Sequence, residues 1–376
     1  MGASAVLIVL LGAGGVVLYG NWRFGEIPKL AVPGLQPRVA GAPFDMLLVG
    51  SDSRQFVDTT AQAQQFGSAS AQGGQRSDVV IIARIAPAMH EVELLSIPRD
   101  TYVNIPGDIS GISGPNRINA AFNSGPSLLV KTIESSFHIP LSDYAEVNFP
   151  GFASIVNALG GIDLDFQYPV RDLFSGLSIH TTGCQLVMGN QALALVRSRH
   201  LYYEKDGAWL ADPGSDWSRI QRQDAFFRAL EPKLSGVATS LTGLNDLLGA
   251  LPSSLSIDNT LGKTTLLSLA ENMHGTKLDS ETLPTIPYTT SGGADVLLPA
   301  AGPDATMIDR FLAFGTTSSV ATRAYVAPRR SAASTTHAVL TAASPVTVTT
   351  IASSPNPWDV VYNTQREPWN PVPCSR

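Results

Sequence analysis

The amino-acid sequence predicts an α/β fold, and three observations support this prediction. First, three short apolar runs rich in β-branched residues are bounded by turn residues, which is typical of buried strands: residues 44–49, 79–85 and 92–97. Second, segments with the helical spacing of apolar residues follow these runs and alternate with a further strand. Third, a chain of 376 residues, of which 44% are hydrophobic, can bury one large core or two ordinary ones.

The remaining elements follow in chain order. Helical spacing predicts helices over residues 127–137, 152–159, 190–196 and 216–234, and the Gly160-Gly161 pair precedes a predicted strand at 162–166. Residues 241–273 are rich in leucine and predict a helix that breaks near Pro252. Residues 318–376 become rich in Ala, Ser, Thr and Pro, which predicts one or two edge strands followed by a poorly ordered tail.

The N-terminal segment predicts a membrane anchor. Residues 3–20 carry no charge and match the shortest membrane-spanning helices, so we assign residues 1–22 to an uncleaved transmembrane signal anchor. A cleaved signal peptide and a buried helix of the domain are the alternatives. Arg23 and Lys29 follow the apolar run and no basic residue precedes it, which by the positive-inside rule favours the opposite orientation.

Composition divides the rest of the chain. Residues 23–43 are rich in proline and glycine and predict an extended spacer, residues 44–330 the folded domain, and residues 331–376 the C-terminal tail. The net charge of −6 and the low charged content of 15% argue against a nucleic-acid binder. Arginine nevertheless outnumbers lysine 19 to 6, and the guanidinium fork binds phosphate in a bidentate manner.

The two cysteines, Cys184 and Cys374, are too few for a zinc ribbon and too far apart for a CxxC redox motif. In an exported protein they can form one disulfide that closes a long loop. Two unrelated thiols are the alternative, and the sequence does not decide between them.

Charged residues follow or precede each of the first three predicted strands. If these strands form an antiparallel meander, Asp52, Asp78 and Asp100 converge at one edge with Arg54, Arg76 and Arg99, and the insert at residues 55–75 bulges away. Carboxylates beside arginines predict a Mg²⁺ site next to a phosphate cradle. A salt-bridged strand edge is the alternative interpretation.

More cationic residues lie downstream. Arg197 and Arg199 point to the same side only if the chain between them is extended, because residues two apart diverge in a helix. In the helix at 216–234, Arg219, Arg222 and Gln223 share a face, where like charges repel unless an anion lies between them. Arg117 adds a further guanidinium.

These strings together resemble the LytR-CpsA-Psr family of cell-envelope glycopolymer transferases. The resemblance covers approximately residues 44–234, and the Cys in GCQ and the Gln/Ala-rich insert are most similar to actinobacterial, including mycobacterial, members. It rests on blocks that occur in the family's order: MLLVGSDSR, RSDVVIIARI, ELLSIPRDTYVNI, RINAAF, VNFPGFASIVNALGGIDLDF, GCQLVMGNQALALVRSRH and DWSRIQRQ.

The resemblance implies a single-pass protein of the cell membrane. Its extracytoplasmic αβα-type domain would have a mixed central β-sheet flanked by helices and an apolar pocket for a polyprenyl chain. Such an enzyme takes a glycan from a polyprenyl-pyrophosphate carrier and joins it to peptidoglycan through a phosphodiester bond on the C6 hydroxyl of muramic acid. In mycobacteria-like envelopes the glycan would be arabinogalactan, and elsewhere teichoic acid or capsule.

Carried over by position, the resemblance assigns the binding of Mg²⁺ (or Mn²⁺) to Asp52 and Asp78. It assigns pyrophosphate binding to a set of arginines and one glutamine: Arg76, Arg99, Arg197, Arg199, Arg219 and Gln223. Arg117 stands where many relatives have lysine, so its role is less defined. Asp78, Arg99 and Asp100 are the candidate catalytic residues, and either Asp100 or an arginine would assist deprotonation. The helices at 127–137, 152–159 and 241–273 are candidate walls of the lipid pocket.

Two other functions remain open at this point. A pyrophosphatase would use the same aspartates and arginines with water as the acceptor. A membrane-tethered scaffold would bind the lipid carrier without chemistry. Direct DNA binding is excluded, because no basic recognition helix is evident.

Overall fold

The computed structural model describes residues 23–51, 77–87, 89, 91–107, 111–238, 240–262, 278–316 and 367–375. The predicted anchor at 1–22, the insert at 55–75 and most of the predicted tail lie outside these ranges. Asp52 and Arg76 also lie outside them. Within the described residues, no helix combines the length and the hydropathy that a membrane crossing needs.

A mixed seven-stranded sheet forms the centre of the domain, as the family resemblance predicted. Its strand order is β1-β14-β7-β2-β3-β4-β15, in which β1–β14, β7–β2 and β4–β15 pair in parallel and the other pairs are antiparallel. The strands are β1 (Lys29–Leu30), β2 (Phe44–Ser51), β3 (Ser77–Ala86), β4 (Glu91–Ile97), β7 (Asp143–Asn148), β14 (Leu255–Asp258) and β15 (Leu278–Thr282).

The antiparallel meander predicted from the first three apolar runs is confirmed as β2–β3–β4. Leu48 pairs with Ile81 and Val80 pairs with Ile97, so the predicted edge is formed by the end of β2, the start of β3 and the end of β4. The β2–β3 register shifts at this edge, because Gly50 pairs with Val79 whereas Ser51 pairs with Ser77. Asp78 is therefore the additional residue of a β-bulge, a feature that is frequent beside active sites.

Helices cover both faces of the central sheet. They are α1 (Pro126–Phe137), α2 (Phe149–Ala158), α3 (Gly189–Arg197), α4 (Ser215–Ala238), α5 (Leu241–Ser254) and α6 (Pro303–Ala313), together with a 3₁₀ helix at Ile118–Ser124. The helices predicted at 127–137, 152–159, 190–196 and 216–234 are thus confirmed as α1 to α4, with ends that differ by at most four residues.

The prediction of a helical segment over 241–273 that breaks near Pro252 is correct for the part up to the break and wrong for the residues directly after it. The helix α5 ends at Ser254, after Pro252, and Leu255–Asp258 is strand β14 of the central sheet. The alternation of Leu255, Ile257 and their neighbours has a strand-like period, but the leucine-rich run before it obscured the change in period. Residues 263–277 lie outside the described part of the chain.

The apolar side chains form three cores around the sheet. On one face Leu47 and Ile82 pack with the 3₁₀ helix, α1 and α6. On the other face Met46, Ile81 and Ile85 pack with side chains such as Phe227 of α4. A third core joins α2, α3 and α4 to a smaller β region. The order helix, sheet, helix is the αβα arrangement that the resemblance implied.

Short strands form the smaller β region and two peripheral hairpins. The four-stranded sheet β10-β9-β12-β13 and the three-stranded sheet β11-β8-β18 belong to the third core, and β5–β6 and β16–β17 are separate pairs. Their bounds are β5 (Tyr102–Ile105), β6 (Gly114–Arg117), β8 (Ile162–Phe166), β9 (Val170–Asp172), β10 (Leu177–Ile179), β11 (Gly183–Val187), β12 (Tyr202–Lys205), β13 (Ala208–Ala211), β16 (Thr285–Thr289), β17 (Asp295–Pro299) and β18 (Val372–Pro373).

The segment predicted as a spacer contributes to the domain. Lys29–Leu30 adds an edge strand to β14, and the side chains of Ile27 and Val32 are buried in two of the cores. Composition rich in Pro and Gly predicted an extended chain, and the chain is extended here. The sequence did not reveal that an extended segment would pair with a sheet edge.

The last described residues are ordered against the domain, whereas the sequence predicted a poorly ordered end. Strand β18 pairs with β8, and Cys374 forms a disulfide with Cys184 of β11, with the two Cα atoms 5.6 Å apart. Trp369 stacks on Tyr203 with ring centroids 4.5 Å apart. Long-range pairing of this kind leaves no signal in the composition of the tail.

We predict that replacing both cysteines, as Cys184→Ser/Cys374→Ser, lowers the free energy of unfolding by about 2–4 kcal/mol, because the disulfide closes a long loop in the unfolded chain. Guanidinium unfolding monitored by circular dichroism measures this change. In the wild type, mass spectrometry of a digest made without reductant should contain the linked Cys184 and Cys374 peptides. Two free thiols, or equal stability of the two proteins, would contradict the prediction.

Candidate active site

A cavity of about 420 Å³ lies between the central sheet and the layer formed by α2, α3 and α4. Its interior is apolar and includes Ile81 and Val147 of the sheet, Phe152 of α2 and Phe226 and Leu230 of α4. Several lining residues are polar, and we call the set of four arginines and one glutamine among them the mouth. The mouth comprises Arg99, Arg197, Arg199, Arg219 and Gln223, all of which line the cavity.

Close helix packing forms the cavity wall. Gly151 of α2 lies against the backbone of Ser254, and Gly189 at the start of α3 lies against the backbone of Ala153. A Cβ atom at either glycine would overlap with main-chain atoms that cannot move aside. These two glycines therefore allow α2 to approach α5 and α3 closely, which fixes the position of Phe152 and Ile155 in the wall.

The prediction of which helices form the walls of the lipid pocket is only partly correct. α2 lines the cavity, but α1 packs on the opposite face of the sheet with Ile133 in the first core. Among the residues whose side chains the structure describes, the α5 region reaches the cavity through Leu255, directly after the helix. α3 and α4 supply the rest of the helical wall. An amphipathic pattern shows that a helix has one buried face, but it does not indicate which side of the sheet that face covers.

Arg197 and Arg199 reach the same cavity because the chain leaves the helix between them. Arg197 is the last residue of α3, and Ser198 is extended with φ −61° and ψ 124°. The Arg197 guanidinium lies 4.2 Å from the centroid of the Phe149 ring. Between the arginines, the buried Ser198 hydroxyl donates to Asp172 Oδ2 at 2.7 Å.

Asp172, which the sequence analysis did not identify, holds this segment in place. Its Oδ2 also accepts from the backbone N–H groups of Arg199 and His200, each at 3.1 Å, and its Oδ1 accepts from Phe174 N at 2.8 Å. Burial would raise the pKa of Asp172, but the hydrogen bonds outweigh it and hold the pKa below the usual 3.8. No local motif marks this residue, because its donors come from two separated segments.

Asp100 lies among three guanidinium groups. Its carboxylate is 2.8 Å from Arg199 Nη2, 3.4 Å from Arg117 Nε and 3.5 Å from Arg99 Nε. Arg117 also donates to the backbone oxygen of Asp295 at 2.7 Å and is about two-fifths exposed. The structure thus brings Arg117 beside the mouth through Asp100, although Arg117 itself does not line the cavity.

Helix α4 carries two kinds of polar side chain. Arg219 and Gln223 line the cavity, and Gln223 Nε2 donates to Val196 O at 3.1 Å. Arg222, which we expected on the same face, is instead fully buried away from the cavity. It donates to Ser198 O at 2.6 Å, to Asn370 Oδ1 at 2.7 Å and to Asp212 Oδ2 at 3.1 Å.

Of the two predicted metal ligands, only Asp78 lies in the described part of the chain, where it is the bulge residue of β3. Asp52 directly follows Ser51 in the sequence, and Ser51 pairs with Ser77. Magnesium typically takes one or two carboxylates from a protein together with phosphate oxygens and water. The buried Ser77 hydroxyl at this point has no hydrogen-bond partner in the structure. Among the described residues, no group of three acidic, His or Cys side chains could hold a metal.

We predict that Asp172→Asn destabilises the fold by about 1–3 kcal/mol near neutral pH, because the amide cannot accept all of these hydrogen bonds. Since the folded-state pKa lies below 3.8, the ionised carboxylate stabilises the fold above that pH, and its contribution is lost as the pH falls through the folded pKa. Urea unfolding of both proteins from about pH 3 to pH 7 should therefore show a difference that shrinks at the acid end.

The matched control is Asp163→Asn. Asp163 is about half exposed and pairs with Lys233, so its loss should change the stability by less than about 1 kcal/mol. Equal effects of the two substitutions at neutral pH would contradict the role of Asp172.

Two bacterial proteins of the cell wall are similar to this chain in sequence. The probable cell wall biosynthesis protein LcpB of Corynebacterium glutamicum is 33% identical over 267 residues, which cover 70% of this chain and 57% of LcpB. The polyisoprenyl-teichoic acid–peptidoglycan teichoic acid transferase TagV of Bacillus subtilis is 27% identical over 325 residues, or 82% of this chain and 74% of TagV. The matched region thus spans a little over half of LcpB.

Among solved structures, the LytR-Csp2A-Psr enzyme from Actinomyces oris has the same fold, with a TM-score of 0.60 and 22% identity over 76% of this chain and 95% of that one. The model of the LytR_cpsA_psr family matches residues 32–301, a range that includes the whole meander and all five residues of the mouth. The family that the ordered sequence blocks indicated is therefore the correct one, and this chain is a member of the LytR-CpsA-Psr family.

Proposed function

We propose that this protein is a phosphotransferase that moves a glycopolymer from a polyprenyl-pyrophosphate carrier to peptidoglycan and joins the two by a phosphodiester bond. The observation that supports this most directly is the cavity, which combines an apolar interior with a mouth of four arginines and one glutamine. A polyprenyl chain needs an apolar interior, and a pyrophosphate needs the positive charge of the mouth. The curated relative TagV is named as a transferase of this kind.

The lipid tail would occupy the apolar interior. Phenylalanine and leucine side chains line this cavity of about 420 Å³, so binding of the tail would remove apolar surface from water. The cavity is too small for a whole polyprenyl chain, so the part of the tail nearest the pyrophosphate would occupy it. The pyrophosphate would then lie at the mouth.

The arginines of the mouth would stabilise the negative charge of the reaction. The acceptor hydroxyl oxygen attacks the phosphorus that carries the glycan, and a P–O bond to the polyprenyl phosphate breaks. The proton of the hydroxyl leaves to a base, and the lipid phosphate leaves with the electron pair of the broken bond. Guanidinium groups already fixed in place stabilise this charge without reorganisation during the reaction.

Asp100 is a positioning residue in this scheme. Its carboxylate contacts three guanidinium groups, which it holds at the mouth against their mutual repulsion. These contacts support an orienting role for Asp100 better than the role of general base, which the sequence analysis left open between it and an arginine.

Asp52 and Asp78 would hold a divalent cation, Mg²⁺ or Mn²⁺. When bound, the cation would neutralise charge on the pyrophosphate oxygens. Two aspartates, with the remaining coordination positions filled by water and phosphate, would match the way Mg²⁺ binds in phosphoryl-transfer sites.

The finer identity of the substrates rests on similarity. The relative from Corynebacterium glutamicum and the actinobacterial character of the sequence blocks support arabinogalactan as the glycan and the muramic acid C6 hydroxyl as the acceptor. The apolar segment at residues 3–20 supports a single-pass membrane protein with an extracytoplasmic catalytic domain.

We predict that Arg219→Ala lowers the rate of glycan transfer by about a hundredfold or more, because it removes a buried guanidinium from the mouth. The assay follows a labelled polyprenyl-pyrophosphate glycan into insoluble nascent peptidoglycan. The control is Arg228→Ala on the same helix, since Arg228 is half exposed, pairs with Asp224 and does not line the cavity.

The outcomes separate the alternatives. Transfer lost only in Arg219→Ala supports the proposal. Release of lipid phosphate from the wild type without incorporation, whether or not acceptor is present, would identify a pyrophosphatase. Tight binding of the lipid carrier with no turnover would identify a scaffold.

A second prediction concerns the cation. Chelation of divalent cations should abolish transfer, Mg²⁺ or Mn²⁺ should restore it, and Asp78→Asn should raise the concentration of Mg²⁺ needed for half-maximal rate. Thermal unfolding of Asp78→Asn serves as the control for folding. Full activity of the wild type in excess chelator would show that no divalent cation takes part.

A further inference from the structure

The four-stranded sheet β10-β9-β12-β13 has one face in the third core and one face towards solvent. Side chains of paired residues lie on the same face, so the strand register defines the solvent side. Arg171 pairs with Tyr202, and Glu204 pairs with Trp209, whereas Val170 and Leu177 on the other side are buried. We call Arg171, Tyr202, Glu204 and Trp209 the outer sheet face.

This face has the side chains that recognise sugar rings. Tyr202 is 40% exposed. The Arg171 guanidinium lies over the Trp209 ring, 4.0 Å from the ring centroid. Aromatic rings cover the apolar C–H faces of a sugar, while the carboxylate of Glu204 can accept from its hydroxyls. Ser178, which pairs with Arg171, extends the polar part of the face with His180, whose Nε2 lies 2.9 Å from the Ser178 hydroxyl.

The outer sheet face is continuous with the mouth of the cavity. Strand β9 ends at Asp172, the residue that fixes the Arg199 segment, and β12 begins two residues after His200. The exposed ring of Phe174 lines the cavity and packs against His200 with centroids 4.6 Å apart. Phe174 and His200 thus lie between the mouth and the outer sheet face. The sheet that carries this face is four strands wide, or about 14 Å.

The geometry of phosphoryl transfer selects one occupant for this surface. The attacking and leaving oxygens lie in line on opposite sides of the phosphorus. If the polyprenyl phosphate leaves towards the apolar interior, the acceptor hydroxyl must approach from outside the mouth, where the outer sheet face begins. The Arg171 guanidinium of this face also complements the carboxylates of peptidoglycan stem peptides.

We propose that the outer sheet face binds the glycan strand of the peptidoglycan acceptor and presents its hydroxyl to the mouth. This inference rests on the proposed function for its choice of ligand. It assigns an acceptor role to Tyr202 and Trp209, which lie outside the cavity and outside every residue set that the sequence analysis selected.

Equilibrium binding to the full-length protein in detergent tests the inference. The probe is short soluble glycan strands of peptidoglycan that retain their stem peptides, titrated by calorimetry. The double variant Tyr202→Thr/Trp209→Thr should bind them about tenfold more weakly than the wild type, because two ring contacts are lost. Threonine is β-branched and so retains a high strand propensity at both positions, and thermal unfolding checks the fold.

Leu210→Thr is the matched control. Leu210 lies in the same hairpin and is 41% exposed, but it pairs with Tyr203 on the opposite face, so strand binding should change less than about twofold. In the transfer assay, the double variant should raise the KM for peptidoglycan and leave the affinity for the polyprenyl-pyrophosphate glycan unchanged.

Several results would overturn the inference. These are equal strand affinity in the double variant and wild type, no strand binding at all, and an equal loss of affinity for the donor glycan. Loss of binding to vesicles of phosphatidylcholine and phosphatidylglycerol in the double variant, with strand binding retained, would identify a lipid surface instead. Strand binding that depends on the outer sheet face in a protein without transfer activity would refute the proposed function and retain the acceptor site.

Discussion

The buried carboxylate of Asp172 is the interaction on which the site depends. It accepts hydrogen bonds from the Ser198 hydroxyl and from backbone N–H groups on either side of Arg199, which keeps this stretch extended directly after α3. If α3 continued by one more turn, Arg197 and Arg199 would diverge. The convergence of two guanidinium groups on one cavity is therefore determined by a carboxylate that does not belong to the predicted set.

A second layer of contacts supports the same segment from the interior. Arg222 donates to Ser198 O and is itself neutralised by Asp212, with both side chains fully buried. Removing one partner of such a pair typically costs about 3–5 kcal/mol, since the other charge remains buried. Arg222 also donates to Asn370 Oδ1. The Cys184–Cys374 disulfide holds the segment that contains Asn370 against β8 and β11. The C-terminal residues thus stabilise the wall of the site from a distance of more than a hundred positions in sequence.

The arrangement separates two requirements that conflict. A lipid tail favours a dry, apolar cavity, whereas a pyrophosphate needs several fixed cations, and isolated cations are costly to bury. The arginines line the same cavity as the apolar side chains, and a counter-charge or a ring lies beside Arg99, Arg197 and Arg199. Asp100 contacts three guanidinium groups, and the Phe149 ring lies beside Arg197. The mouth therefore has a high density of positive charge without leaving the cations to repel one another before a ligand binds.

The sequence by itself determined the family, the meander of β2, β3 and β4, helices α1 to α4 and the five residues of the mouth, because these depend on local periodicity and on short ordered blocks. Arg99, Arg197, Arg199, Arg219 and Gln223 were all found in this way. Only the tertiary structure decided the rest. Asp172 and Asn370 act on residues far from them in sequence, α1 was placed on the opposite face of the sheet from the cavity, and Leu255–Asp258 joined the sheet. Each of these outcomes depends on which distant group pairs with a buried donor, a buried charge or a sheet edge. Such long-range pairing produces no periodic pattern in the sequence.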